Sequence, residues 1–265
     1  MSESMRAARD VVRALGLWRI WARLGVQDVR LRFRRSVLGV SWIFVNLTVM
    51  VLAIGFIYGN LLGQPMREFI PYLMIGLILW NYLTSSIVEG GNAFINSEGY
   101  IKQISLPIYL YIFRAFVSIG LSALVALGAF LIVALVYRVP VGPGTLLAVP
   151  GLMLMMITSL LLVTIFAHLN TRFRDVAHLA AVGMQVLFYV TPVIFPAELL
   201  RNRSLSLVID LNPMYHLLEV VRHPLLAAGP ADWRSYVVTA LFIAVLAALA
   251  SGIIGFYHRR IVFAL

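Results

Sequence analysis

One stretch constrains this chain more than any other: an uncharged run at residues 40–62, entered directly from a block of arginines. The run holds no Asp, Glu, Lys, Arg or His. At about 1.5 Å of rise per residue, such a run coiled as a helix crosses a ~30 Å hydrocarbon core. Arg30, Arg32, Arg34 and Arg35 stand just before it. Cationic flanks favour the cytoplasmic side, so this span runs from inside to outside and orients everything after it.

Composition agrees. Of the 265 residues, 62% are hydrophobic and only 12% charged, where a soluble domain carries about 25% charged residues. The chain is therefore a polytopic membrane protein. Its net charge of +10 invites a nucleic-acid partner, but most charges lie in short runs beside apolar spans, which membrane orientation explains. The absence of cysteine excludes disulfide and thiol chemistry. No cleavable signal peptide is expected, because the first apolar span follows a long basic segment.

Residues 1–36 predict an amphipathic helix. Val11, Leu15, Trp18, Ala22, Val26, Val29 and Phe33 recur at spacings of three and four, opposite Arg23, Gln27, Arg30 and Arg34. Such a helix suits the headgroup plane; a cytosolic tail that merely obeys the positive-inside rule is the plainer alternative. Residues 37–265 form the membrane domain. It is all-α, with six transmembrane helices at about 40–62, 69–88, 115–137, 146–169, 176–195 and 236–257, and both termini cytoplasmic. Of the 21 Lys and Arg residues, only Arg67, Arg138, Arg201, Arg203, Arg222 and Arg234 fall in outer segments on this scheme, as the positive-inside rule requires. His258-Arg259-Arg260 ends the last span inside.

Within the first span, Gly55 and Gly59 permit close helix contact. Trp42, Asn46, Phe56 and Asn60 share a stripe that either lines a polar path or makes ordinary interhelical hydrogen bonds. Residues 89–107 form a cytoplasmic loop with Glu89, Glu98 and Lys102, long for a simple turn. Residues 197–226 are neither a clean span nor a polar loop. Two short apolar runs, one through Leu199, Leu205 and Ile209 and one from Met214 to Leu226, are divided by Asn212-Pro213. Each is too short to span, so two short re-entrant or interfacial outer helices are expected.

The chemistry that is missing matters as much. No Asp, Glu, Lys or Arg lies mid-span, which argues against coupling to an ion gradient. His168 and His178 fall at inner span ends, where packing is the simplest role. There is no zinc motif, nucleophile elbow or P-loop, so active transport would draw its energy from another polypeptide.

The pattern R-x-R-F-R-R-S-V-L-G-V-S-W ending at Trp42 resembles the permease subunits of bacterial polysaccharide ABC exporters, of the O-antigen, teichoic acid and capsule type. The likeness continues in Asn96-Ser-Glu-Gly-Tyr-Ile-Lys102 with Leu106-Pro107, in Thr191-Pro192-Val-Ile-Phe-Pro196, and in Asn212-Pro213-Met-Tyr-His-Leu-Leu-Glu-Val-Val-Arg222. Where the family often carries a proline four residues after the tryptophan, this chain has Asn46. The resemblance implies a homodimer in the bacterial cytoplasmic membrane, with two copies of a separate ATP-binding subunit. ATP and Mg would belong to that partner, and this chain, a transport subunit and not an enzyme, would hold no cofactor. Glu89, Asn96, Glu98, Tyr100 and Lys102, with Arg30 and Arg34, would couple to the ATPase. Spans 1 and 5 would line the channel. Pro192, Pro196, Asn212, Pro213, Tyr215, Glu219 and Arg222 would form an outer gate.

The function expected is export of a lipid-linked polysaccharide. Trp42, Phe56, Phe188 and Tyr189 would present ring faces to the sugars, and Asn46, Asn60 and Gln185 would exchange hydrogen bonds with hydroxyls. Packing between helices is the structural alternative for each of these residues. Two other functions compete: an ABC exporter permease for a drug or lipid, and a membrane enzyme acting on polyprenyl-linked sugars through the outer acids Glu198, Asp210, Glu219 and Asp232.

Overall fold

The computed structural model describes residues 3–201, 206–257 and 261. Among them the regular elements are helices, with no strand. The N-terminal segment forms two helices, α1 (Glu3–Gly16) and α2 (Trp18–Arg32), instead of one through residue 36. Gly16, a poor helix former, precedes the break at Leu17, and the Trp21 indole N–H donates across it to the Ala14 carbonyl at 3.0 Å. The break re-phases the two faces. Ala14, Gly25 and Val29 are buried, while Leu15 and Trp18, placed on the apolar face by periodicity, are 49% and 56% exposed.

α3 (Ser41–Leu61) packs on α4 (Met66–Val88) through Leu47, Val51, Gly55 and Gly59. The four-residue spacing places these on one line, and a Cβ at Gly55 would run into the Ile70 side chain. α4 is the centre of the bundle. Almost every residue from Phe69 to Leu83 is buried, and the helix packs against α3 and against four later helices. It begins before residue 69 because Pro65 and Glu68 suit a helix start.

The inner loop is itself wound into 3₁₀ turns, Gly90–Asn92 and Ile95–Ser97, and a short α5 (Glu98–Gln103). α6 (Tyr109–Val136) starts ahead of the expected residue 115, and Arg114 lies within its second turn. The arginine is tolerated there because Asp28 neutralises it. α7 (Ala148–Arg172) follows an outer turn, and α8 (Val176–Val190) stops where the Thr191-Pro192 peptide removes the next helical N–H. The helix therefore falls short of the expected residue 195.

Helices or helical runs at Ser41–Leu61, Met66–Asn92, Tyr109–Val136, Pro143–Arg172 and Trp233–Phe256 are long and apolar enough to cross a membrane. α8, with 15 residues, reaches only about 22 Å at 1.5 Å per residue. At its start, the Ala177 N–H donates to Asn170 Oδ1 at 3.2 Å, and Asn170 Nδ2 donates to Asn92 Oδ1 at 2.8 Å. Just past its end, the Pro192 carbonyl accepts from the Tyr72 hydroxyl. α8 thus runs antiparallel to α4 over most of the length of α4.

Beyond it come α9 (Glu198–Arg201), α10 (Ser206–Asp210) and α11 (Pro213–Ala227), more helical pieces than the two expected. Arg203 and Leu205 lie outside the described residues, as do His258, Arg259 and Arg260 after α12 (Trp233–Tyr257). α11 is buried along most of its length against α4, α7 and α12. At Gly151 of α7 a Cβ would overlap the Val220 carbonyl, so only glycine lets these two backbones meet.

Candidate functional site

The residues of the sequence motifs fall into three groups, one at exposed positions of α3 and α8 and one at each end of the bundle. On the face, α3 exposes Trp42, Asn46, Phe56 and Asn60, and α8 exposes Gln185 and Tyr189. Phe56 and Tyr189 are 69% and 68% exposed, large values for aromatic side chains. Asn60 spends one donor within its own helix, on the Phe56 carbonyl at 2.7 Å. Phe188 differs from the rest: it is half-buried, with its ring 5.6 Å from Trp80 of α4 and 5.7 Å from Tyr189. It therefore packs within the protomer and steadies its neighbour. α3 and α8 both pack on α4, and Trp42, Phe56, Gln185 and Tyr189 stay exposed on them.

The motifs missed Asn81. It is exposed on α4 while Trp80 and Tyr82 beside it are buried. With Asn46, Ser85 and Ser122 it lines a crevice of about 280 Å³ between α3, α4 and α6, and Arg32 forms part of the wall. The signal was present in the polar run Asn81, Thr84, Ser85 and Ser86 within an otherwise apolar span.

At the end of the bundle that carries the 89–107 loop, Arg114 Nε and Nη2 donate to the two carboxylate oxygens of Asp28 at 2.7 and 2.6 Å, joining α6 to α2. This bidentate geometry is the strong form of the contact. The Tyr100 ring lies 5.5 Å from the same guanidinium. Arg32, at the end of α2, pairs with Glu89, which also accepts from the Ser85 hydroxyl at 3.1 Å. Glu89, Asn96, Asp28, Arg32 and Arg114 thus share one cleft of about 240 Å³.

Glu98 and Lys102 stand apart on the surface of α5, paired with each other at 2.6 Å. Accepting from Lys102 holds the Glu98 carboxyl below its ordinary value. Arg30 and Arg34 are exposed and pair with no carboxylate among the described residues. The sequence motifs missed Asp28 and Arg114 as a pair, although Asp28 is the only acid between Asp10 and Glu68, and Arg114 the only cation between Lys102 and Arg138. Nearby, His168 is buried edge-on to Phe94 with Nδ1 2.7 Å from the Thr164 carbonyl, a packing role. His178 is exposed.

At the opposite end of the bundle, Asn212 caps α11, its side-chain oxygen accepting from the Met214 and Tyr215 N–H groups. Pro213 takes the first helical position, where its missing N–H costs nothing. Asn212 Nδ2 also donates to Thr191 Oγ1 at 2.9 Å, tying this cap to the end of α8. Arg222, only 1% exposed, donates to the Pro192 carbonyl at 2.9 Å and to Glu219 at 3.0 Å. Its guanidinium lies 4.1 Å from the centre of the Tyr72 ring. The Tyr72 hydroxyl donates to the Pro192 and Phe195 carbonyls at 3.2 and 3.0 Å. Carbonyls released where α8 stops are therefore satisfied by α4 and α11. Of the expected outer set, Pro192, Asn212, Glu219 and Arg222 meet in this latch, while Pro196 and Tyr215 line the basin outside it. Tyr72 was missed; a tyrosine directly after Pro71, at the end of a span, was the available signal.

The model of the ABC-2 type transporter family matches residues 21–226. The chain belongs to that family. All four motifs that carried the sequence resemblance fall inside the matched range, as do the residues of all three groups. The family and the five long apolar helices make this a multi-pass membrane protein. Among similar proteins, the O-antigen export system permease protein RfbA of Myxococcus xanthus is 26% identical over 195 residues, 72% of this chain and 74% of the relative. A protein of the same name from Klebsiella pneumoniae is 22% identical over 193 residues, again 72% of this chain and 74% of its own.

Proposed function

We propose that the chain is the channel subunit of an ATP-driven exporter that carries a lipid-linked, O-antigen-like polysaccharide from the cytoplasmic to the outer side of the bacterial inner membrane. One observation carries the reading: α3 and α8 hold Trp42, Asn46, Phe56, Gln185 and Tyr189 outward, unpacked, on helices that share α4 as support. Exposed rings offer electron-rich faces to the polarised C–H groups of sugars, and the amides exchange hydrogen bonds with hydroxyls. A single protomer presents these faces without enclosing them. A second copy related by a two-fold axis would close them into a channel. The names of the similar proteins support a glycan over a drug or lipid.

Two copies of a separate ATP-binding subunit would supply ATP and Mg. Arg30, Arg34, Glu98, Tyr100 and Lys102 are exposed or half-buried on the inner side, where such a partner would dock. The Asp28–Arg114 and Arg32–Glu89 pairs would pass its movement from α2 and the loop into α4 and α6. A population shift follows only if the partner's nucleotide states bind the two channel conformations with different affinity. The latch at Pro192, Asn212, Glu219 and Arg222 would hold the outer end.

The enzyme alternative expects outer carboxylates to gather, and Glu198, Asp210, Glu219 and Asp232 do share a basin. Glu219 is engaged by Arg222, however, and the family is one of transporters. Purification from the native membrane in mild detergent separates the two. Co-elution of a nucleotide-binding subunit at equal stoichiometry, with ATP hydrolysis, is the expected result. A chain that elutes alone and itself turns over a polyprenyl-linked sugar makes the enzyme reading the right one.

A further inference from the structure

The outer basin holds about 710 Å³, within the ~300–1,000 Å³ typical of small-ligand sites. Gln64, from the turn between α3 and α4, and Glu68, in the first turn of α4, line one part of the basin; Asp210 of α10 and Tyr215 of α11 line another. The basin therefore adjoins the outer end of α3, where anything passing along that helix would emerge.

Its lining mixes both signs. Five carboxylates face three guanidinium groups, with two histidines between them. That balance offers an anion more repulsion than attraction. No group of three or more His, Asp or Glu residues among those described has the geometry of a cation site. Alternating donors and acceptors, with the rings of Phe69 and Tyr215 beside them, suit a ligand whose hydroxyls both donate and accept.

An independent observation points to a ligand. Tyr215 is only 6% exposed. Its side chain lines the basin, yet among the described residues its hydroxyl has no hydrogen-bond partner, unlike that of Tyr72 on the same basin wall. The hydroxyl oxygen is not among the buried atoms and is reachable from the basin, so it is free to bond a group that enters there. The side chains of Asp210 and Glu198 also make no hydrogen bond or ion pair among the described residues, and both line the same space.

We infer that the basin is a glycan-binding subsite, separate from the α3–α8 face, which takes a short stretch of sugar chain against Tyr215, Asp210 and Glu198. The inference rests on the exporter reading and extends it: a chain leaving the channel would be held on the outer side, opposing its return.

The test uses the full complex with its ATPase partner in nanodiscs. The probe is a lipid-free oligosaccharide, a few repeats long, released from the producing cell's own polysaccharide, and binding is followed by saturation-transfer NMR. The wild type is expected to bind. Tyr215→Phe should bind about three- to tenfold more weakly, the effect of one neutral hydrogen bond, with its thermal midpoint unchanged because no internal bond is lost. Asp210→Asn should weaken binding by about ten- to a hundredfold, as for a bond to a charged group. Equal binding by wild type, Tyr215→Phe and Asp210→Asn overturns the subsite, as does binding lost only in Trp42→Ala. No binding by a complex whose ATPase is active overturns the subsite and leaves the exporter reading intact. Tyr215-dependent binding by a chain that never recruits an ATPase does the reverse.

Discussion

Arg222 concentrates the chemistry of the outer side in one residue. A fully buried guanidinium survives only with its charge matched and its donors used. Glu219 and the Pro192 carbonyl accept from Nη2 and Nη1 and the Tyr72 ring lies against the guanidinium, which meets most of that demand; Nε has no partner among the described residues. Replacing Arg222 with Met should cost about 3–5 kcal/mol, because a nearly buried carboxylate and a carbonyl are then left unpaired. The thermal midpoint in detergent reads this directly, and adding Glu219→Gln should recover much of the loss. Tyr72→Phe should cost less, about 1–2 kcal/mol, for two hydrogen bonds to backbone. The sequence marked Arg222 as an outer basic residue within a motif. Its burial was invisible there, because apart from Glu219, three residues before it, its partners come from α4 and from just past the end of α8, far away in the chain.

At the scale of elements, two contacts set how helices move together. α11 meets α7 at Gly151, where backbone touches backbone. Gly151→Val should destabilise the bundle by about 1–3 kcal/mol, the usual range for overpacking, and should lower the thermal midpoint while leaving the inner side intact. The second contact is the clamp between α2 and α6. Asp28→Arg alone sets like charges face to face and should uncouple ATP hydrolysis from export; Asp28→Arg with Arg114→Asp should restore coupling. A single variant that couples normally would remove this pair from the transmission path. Periodicity marked α2 as an amphipathic helix. The choice of buried face was not periodic information, since α1 and α2 are offset at Leu17 and α2 rests on α6.

Over the whole molecule the open question is how many helices cross. α8 is short, yet its ends reach the Asn92 level and the Tyr72 level of α4. The natural chain has no cysteine, so single cysteines report sidedness without background. With six crossings, Arg174→Cys just before α8 should react only with reagent on the inner side. Asp232→Cys just before α12 should react only from outside. Labelling of both from one side would mean that α8 does not cross. Gln64→Cys and Lys102→Cys, flanking α4 and its inner loop, should label from outside and inside respectively.

Hydropathy and charge along the chain determined the membrane class and the approximate place of the five long apolar helices, because those properties depend on local composition against a bilayer of fixed thickness. The motifs determined the family for the same local reason. Tertiary structure alone decided the rest: that α4 is the shared support, that Asp28 finds Arg114, that Tyr72 and Arg222 take the carbonyls freed at Pro192, and that Asn81 stays exposed. Each of these depends on which distant residues are brought within hydrogen-bonding or packing distance, and a linear pattern of polar and apolar residues does not encode that pairing.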